Sequence, residues 1–384
     1  MNRNRAVAAI VLLGLMLLSL PVMAKGPEVT WNEQNGRWSA TYSLTTDIGK
    51  GGTLDLERVV GGVEVVGGEV KTAEVVIDFG MGERSSREDA EEMYEQFCPV
   101  VEEKGQTIRI RQKSRSRWVG NHNHSTHILV RVPAEFDVEG RSDGGALEVT
   151  RLVGRVDFST GGGSISVTQH KGLVDVSSGG GGMEMRDIEG DVRMSTGGGG
   201  LELNNITGTV RGSTGGGGIQ LADVTSEHGS RITTGGGSIE VDGLKGRFDV
   251  STGGGALRGE DCAGDLTITT GGGAIRLRNM AGDLHASTGG GGIDYRIDNP
   301  DMLASSDVQL STGHGDIDLY LPDALKATVS ATIEKYRRTS DIRSDFPLET
   351  EEKFDNLYGT LVLNGGGSSI SVRTAESKVS IYKR

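Results

Sequence analysis

Three histidines in one short stretch are the strongest candidates for metal chemistry. His122, His124 and His127 lie within six residues of one another. If this stretch is extended, His122 and His124 share one face, and His127 could complete a site for zinc or copper. Neither a cysteine nor a carboxylate stands beside them. We therefore favour a polar loop that leads into a strand at Ile128 over a metal site, and we expect no cofactor.

A pair of aspartates is the best candidate for acid–base chemistry. Asp157 and Asp175 occupy matching positions of neighbouring sequence repeats, so in stacked strands they would lie about 5 Å apart. That separation suits the carboxyl pair of a glycosidase. A solvated charged face explains the pair better, because the sequence offers no long loop to build a cleft and few aromatic residues for sugar stacking. We expect no catalytic residue and no enzymatic activity.

Two further motifs, a calcium-binding roll and a nucleophile elbow, are excluded by the residues around them. Calcium-binding nonapeptide rolls place an aspartate where this chain has Arg258 and Arg276, and arginine cannot ligate a cation. Residues 140–144 match a nucleophile elbow, but the chain continues as a strand where that motif needs a helix. We expect an exposed charge ladder instead, with Glu240 near Arg258 and Arg276 near Asp294.

A glycine-rich repeat organises most of the chain. The block Ser/Thr-Thr-Gly-Gly-Gly recurs mostly at intervals of 18 residues. The blocks begin at Ser159, Ser195, Ser213, Thr233, Ser251, Thr269 and Ser287, with variant blocks at Ser177 and Ser311. A fixed period of this length indicates one structural unit per repeat, with each unit stacked on its neighbours.

Each unit contains two short apolar stretches. In one unit the apolar residues are Met183, Met185, Ile188, Val192 and Met194. Pairs two residues apart are typical of strands, and Gly190 between them permits a corner with positive φ. We predict an all-β fold: a single-stranded parallel β-solenoid (β-helix) of 18-residue rungs, with one helix-containing excursion and terminal caps. The spacing favours a flattened coil over a left-handed hexapeptide helix, and handedness stays open.

Two inward positions hold unusual residues. Cys262 falls where other units have Ile188 or Leu244, so we expect a buried, unpaired thiol. Cys98 ends the predicted helix and should lie far from it. His170 takes the same inward position in its own unit, and nothing in the sequence explains it.

The two ends of the chain differ from the repeats. Arg3 and Arg5, an apolar run over residues 6–20 and a small-residue site ending at Ala24 are typical of an export signal. The predicted segments are a signal peptide (1–24), an N-terminal cap strand (25–50), a first solenoid rung (51–66), an excursion (67–135) with a helix at about 86–98, the glycine-rich repeats (136–320), and C-terminal rungs with a cap (321–384).

Composition limits the classes of partner. The formal net charge of −13 repels phosphate backbones and argues against nucleic acid and anionic lipid. Only two cysteines are present, so disulfides do not hold the fold. No second apolar run follows the signal, and we expect no transmembrane segment after its cleavage.

These features resemble the bacterial DUF4097 family. The matching stretches are residues 52–56, 63–65 and 130–138, the Ser-Thr-Gly-Gly-Gly units, and residues 361–372. The resemblance covers roughly residues 50–384 and implies a single-stranded β-solenoid at the cell envelope. Members are often labelled adhesins on architecture, so the resemblance implies no known activity. Nearly all turns here are triple glycine, whereas the family often has asparagine or aspartate.

We expect a non-catalytic, exported scaffold of the cell envelope that acts as an adhesin or binding protein. We expect it in the periplasm, at the cell surface or outside the cell. Its partner would be a protein or glycan of the envelope. The alternatives are a polysaccharide-binding or polysaccharide-cleaving β-helix protein, or a periplasmic partner of an envelope-stress regulatory complex that is contacted through residues 66–130. A cleft with convergent carboxylates would favour the enzyme, and an exposed apolar helix face would favour the regulatory partner.

Overall fold

The computed structural model describes residues 26–82, 84–113, 124–303, 305–335 and 341–384. The predicted signal peptide and His122 lie outside these residues. The described chain is all-β, with one α-helix, α1 (Arg87–Phe97), and one 3-10 turn (Pro300–Leu303). No helix among the described residues is long and apolar enough to cross a membrane.

The N-terminal part joins a small antiparallel sheet to the first parallel strands. Its strands are β1 (Glu28–Gln34), β2 (Arg37–Thr45), β3 (Gly52–Val59), β4 (Gly62–Gly68), β5 (Glu74–Met81), β6 (Val100–Lys104), β7 (Thr107–Arg111) and β8 (His124–Pro133). β1, β2, β5 and β8 pair antiparallel in that order, and β6 pairs antiparallel with β7. β3 and β4 lie parallel to β7 and β8, so the excursion is hydrogen-bonded to the strands that it leaves.

The helix of the excursion packs on the antiparallel sheet. Ser86 Oγ accepts a hydrogen bond from the Asp89 amide at 3.1 Å, and the Asp89 carboxylate accepts one from the Ser86 amide at 3.2 Å. This capping box fixes the start of α1. The Arg87 guanidinium lies 4.4 Å from the ring centre of Trp31 and 4.9 Å from that of Trp38, so cation–π contacts join the helix to the β1–β2 hairpin.

The repeats form a long stack of parallel strands. These strands are β9 (Phe136–Ser142), β10 (Leu147–Thr160), β11 (Ile165–Ser178), β12 (Met183–Glu189), β13 (Val192–Thr196), β14 (Leu201–Thr207), β15 (Val210–Thr214), β16 (Ile219–Thr234), β17 (Ile239–Asp242), β18 (Lys245–Thr252), β19 (Leu257–Glu260), β20 (Ala263–Thr270), β21 (Ile275–Arg278), β22 (Leu284–Thr288), β23 (Ile293–Arg296), β24 (Asp307–Thr312) and β25 (Ile317–Leu321). Met183 lies opposite Leu201, and Leu201 opposite Ile219, so register partners here are 18 residues apart in the chain. The architecture is parallel and solenoid-like.

Two insertions interrupt this register without breaking the stack. A bulge between Ser226 and Ser230 absorbs two extra residues where β16 pairs with β18. The second insertion lies between Leu284 and its register partner Val308, which are more than 18 residues apart in the chain. The additional residues include the 3-10 turn. The first insertion is a β-bulge inside β16, and the second lies in the connection between β23 and β24.

The C-terminal strands close the stack. They are β26 (Ala327–Glu334), β27 (Ile342–Ser344), β28 (Glu349–Lys353), β29 (Asn356–Leu363), β30 (Ser368–Ala375) and β31 (Val379–Lys383). β30 and β31 continue the parallel stack on β24 and β25. β26 lies on β30, and the antiparallel strands β29 and β28 follow it outward.

The predicted inward residues form the core, and glycine makes the corners for two reasons. Met185, Ile188 and Val192 are buried, as their spacing predicts. Gly190 has a φ of +148°, which favours glycine. A Cβ at Gly199 would lie 2.1 Å from the carbonyl oxygen of Gly181 in the preceding repeat. The triple-glycine corner is therefore set by the close stacking of backbones.

Candidate functional site

The described histidines of the metal candidate do not converge. His124 and His127 lie on opposite faces of β8, because they are three positions apart in a strand whose side chains alternate. The His124 ring stacks on Phe79 and Phe97, with ring centres 5.4 Å and 5.0 Å away. His127 is exposed, and its Nε2 lies 3.6 Å from the Glu64 carboxylate. Within the described residues, no group of three or more metal-ligating side chains is arranged to hold an ion.

Asp157 and Asp175 are register partners, as predicted, but each is held by an arginine. Arg155 pairs with Asp157, and Arg193 approaches Asp175 at 3.7 Å. The pair borders a shallow depression of about 400 Å³ to which Asp55 also contributes. An open, ion-paired row of carboxylates of this kind is the geometry of a solvated charged face.

The serine of the elbow-like motif has a structural role. Ser142 is buried, and its hydroxyl donates a hydrogen bond to the Val59 carbonyl oxygen at 3.0 Å. The Ser142 hydroxyl oxygen in turn accepts a hydrogen bond from the Gly145 amide at 2.7 Å. Ser142 thus closes the corner between β9 and β10.

The two thiols and one histidine are buried. Burial raises the pKa of Cys98 and of Cys262 to about 11, which keeps both thiols protonated near neutral pH. His170 is 2% exposed, and among the described residues neither ring nitrogen has a hydrogen-bond partner. Burial lowers the pKa of His170, so the neutral ring is the favoured form.

The predicted charge ladder runs along the first strand of each repeat. Its exposed or half-exposed members are Ser166, Glu184, Glu202, Gln220, Glu240, Arg258, Arg276 and Asp294. The Arg258 Nε lies 3.8 Å from Glu240, as predicted. Arg276 lies in register with Asp294, but within the described chain the two form no ion pair.

A groove follows this ladder, and sequence reasoning missed it. The floor consists of small residues just before each strand: Ser164, Gly182, Gly200, Gly218, Ser238 and Ala256. The groove crosses seven repeats and has a volume of about 770 Å³. At about 4.8 Å per strand it is roughly 30 Å long. The signal was the run of small residues at one position of the repeat.

Four arginines cluster near one end of the groove, and two of them, Arg258 and Arg276, line it. The arginine patch consists of Arg258, Arg276, Arg278 and Arg296 on β19, β21 and β23. Arg258 pairs with Glu260 at 2.6 Å, and Arg278 pairs with Asp298 at 2.6 Å. The Arg296 guanidinium lies 4.6 Å from the ring centre of Tyr320. Arg276 is exposed and makes no ion pair or hydrogen bond with any described residue.

Comparison with known proteins identifies a family. The sequence model of the family described as Toastrack DUF4097 matches residues 70–381. No curated protein matches the chain. A crystal structure of a candidate cell adhesion protein from Clostridium sporogenes is similar at 12% identity and a TM-score of 0.20, covering 94% of this chain and 99% of that one. A crystal structure of a candidate lipid-binding protein from Parabacteroides distasonis is similar at 10% identity and a TM-score of 0.24, covering 89% of this chain and 96% of that one. The family match spans most of the sequence, so the chain belongs to the Toastrack (DUF4097) family.

Proposed function

We propose that this protein is a non-catalytic, exported scaffold of the cell envelope that binds an extended partner along its stacked strands, with each 18-residue unit forming one rung of a single-stranded solenoid. The observation that carries the proposal is the groove of about 770 Å³ across seven repeats, bordered by an in-register ladder of charged side chains. A surface that repeats along one axis suits a partner that is itself linear.

Charge and burial support binding over catalysis. The ion pairs of the ladder are largely exposed, so each contributes little to the stability of the fold. The charges are therefore available to a partner at little cost in stability. Catalysis calls for titratable groups that converge in a cleft. Asp157 and Asp175 instead lie on an open face with arginine partners.

The helix of the excursion does not favour a regulatory partner. An exposed apolar face on α1 would indicate a protein-docking surface. The exposed residues of α1 include Glu88, Glu91, Glu92 and Glu95, whereas Ala90 is buried against the sheet. An acidic helix face of this kind is typical of a solvated surface. We therefore place the binding surface on the repeats.

Binding of the purified protein to an array of glycans, envelope polymers and matrix proteins tests this proposal. We expect saturable binding to at least one extended polymer, with an affinity that survives moderate salt. A blank array, or cleavage of a bound polymer, would contradict the proposal.

A further inference from the structure

We propose that the groove and the arginine patch together bind a linear glycan that carries an acidic substituent. This inference rests on the binding-scaffold function above and adds the chemical class of the ligand. It is drawn from Arg276, which has no ion pair within the described residues, from the dimensions of the groove and from the unequal charge at its two ends.

Arg276 supplies the anion-binding group. It lies in register with Arg258, and like charges directly across neighbouring strands destabilise a sheet. Arg258 is offset by Glu260 and Glu240. Arg276 faces Asp294 in the register on its other side, but it forms no ion pair with any described residue. A carboxylate, sulfate or phosphate seated on Arg276 would supply the ion-pair partner that the described residues do not give it. The guanidinium fork binds such groups with two parallel hydrogen bonds.

The shape of the groove favours a glycan over a peptide. The floor carries small side chains such as Ser238 and Ala256, so a ligand can lie close to the backbone. Neighbouring repeats are about 4.8 Å apart, whereas an extended peptide rises about 3.3 Å per residue and loses register within a few residues. A chain of sugar rings has a unit length close to the spacing between repeats, so each ring can meet an equivalent set of groups.

The charge distribution limits how acidic the glycan is. Glu184 and Glu202 border the groove away from the arginine patch, where they share Arg186 as an ion-pair partner, and Gln220 follows them. These groups accept hydrogen bonds from sugar hydroxyls, but they repel a polymer with a negative charge on every unit. The arrangement therefore fits a mainly neutral chain whose acidic group reaches Arg276.

The test compares matched oligosaccharides by titration calorimetry with the full, purified protein. The probes are xylo-oligosaccharides that carry one uronic acid, the same oligosaccharides without it, and an acidic peptide of equal charge. We expect the acidic oligosaccharide to bind about tenfold more tightly than the neutral one. We expect Arg276→Gln to remove this preference and Ser238→Leu, which fills the groove, to weaken both sugars by about tenfold.

Arg211→Gln is the matched control, since Arg211 is also exposed and without an ion pair in the described chain, but lies on β15, the second strand of its repeat. It should change neither affinity. Equal binding of the acidic and neutral sugars, or of the acidic peptide and the acidic sugar, would overturn the inference. If none of these probes binds while the array gives another partner, the inference fails and the scaffold function stands. If both experiments are blank, both fail.

Discussion

The hydroxyl of Thr196 joins two neighbouring repeats at their glycine corner. Its Oγ1 donates a hydrogen bond to the Gly181 carbonyl oxygen at 2.9 Å and accepts one from the Gly199 amide at 3.3 Å. The same pair of bonds recurs at Thr214 and at Thr252. Each buried threonine thus satisfies one backbone acceptor of the previous repeat and one donor of its own turn.

Thr196→Val should destabilise the protein by about 1–3 kcal/mol, because it leaves a part-buried carbonyl oxygen and a part-buried amide without these hydrogen-bond partners. The neighbouring Ser195 is exposed and only accepts a hydrogen bond from Ser213. Ser195→Ala should therefore change stability by less than about 0.5 kcal/mol. Urea unfolding followed by circular dichroism measures both. Equal effects of the two substitutions would contradict this role for the buried hydroxyl.

Adjacent glycines of the same turn should differ sharply in their tolerance of alanine. A Cβ at Gly199 would lie 2.1 Å from the Gly181 oxygen, whereas a Cβ at Gly198 would have no atom of the described residues within 4 Å. Gly199→Ala should lower stability by at least about 2–3 kcal/mol, because backbone atoms must move apart. Gly198→Ala should be close to neutral. The melting temperatures of the two variants test this prediction. A Gly199→Ala variant that melts near the parent temperature would show that the repeats are not stacked this closely.

His170 should make stability depend on pH. Its pKa is lowered in the folded protein, so the unfolded chain binds a proton more readily as the pH falls below about 6.5. The free energy of unfolding should decrease over that range and on to the lowered folded-state pKa. His170→Leu should remove this decrease and raise stability by about 1–3 kcal/mol, because an apolar side chain replaces a buried polar ring whose nitrogens have no hydrogen-bond partner among the described residues.

The control for that prediction is His285→Gln, since His285 is exposed on β22. The unfolding midpoint of the His285→Gln variant should depend on pH in the same way as that of the parent protein. A pH dependence that persists in His170→Leu would assign the effect to other groups.

The outermost strand of the C-terminal hairpin should resist association through its acidic side chains. β28 pairs only with β29 among the described strands, and all five of its residues are exposed. Unpaired strand edges template association, and charges suppress it. Glu349→Val with Glu351→Val should cause association that grows with concentration in sedimentation velocity. Glu92→Val with Glu95→Val on α1 removes the same charge away from an edge and should leave the protein monodisperse.

The local spacing of residues predicted the core and the register, but not the groove. The intervals between Met183, Met185 and Ile188 determine which side chains point inward, since the strand period is two. The same logic placed Arg276 opposite Asp294. Whether two register partners form an ion pair depends on rotamers and on neighbours such as Arg278, which belong to the packed surface. The contact of α1 with Trp31 and Trp38 is likewise long-range and left no local signal.

The dependence of affinity on ligand length tests the scaffold function most directly. For the strongest ligand of the array, oligomers of increasing length should bind more tightly until they span the groove, at roughly 30 Å. Beyond that length the affinity should stay constant. The length distribution of the oligomers should not change after incubation with the protein. Affinity that does not depend on length, or oligomers that become shorter, would contradict an extended, non-catalytic binding surface.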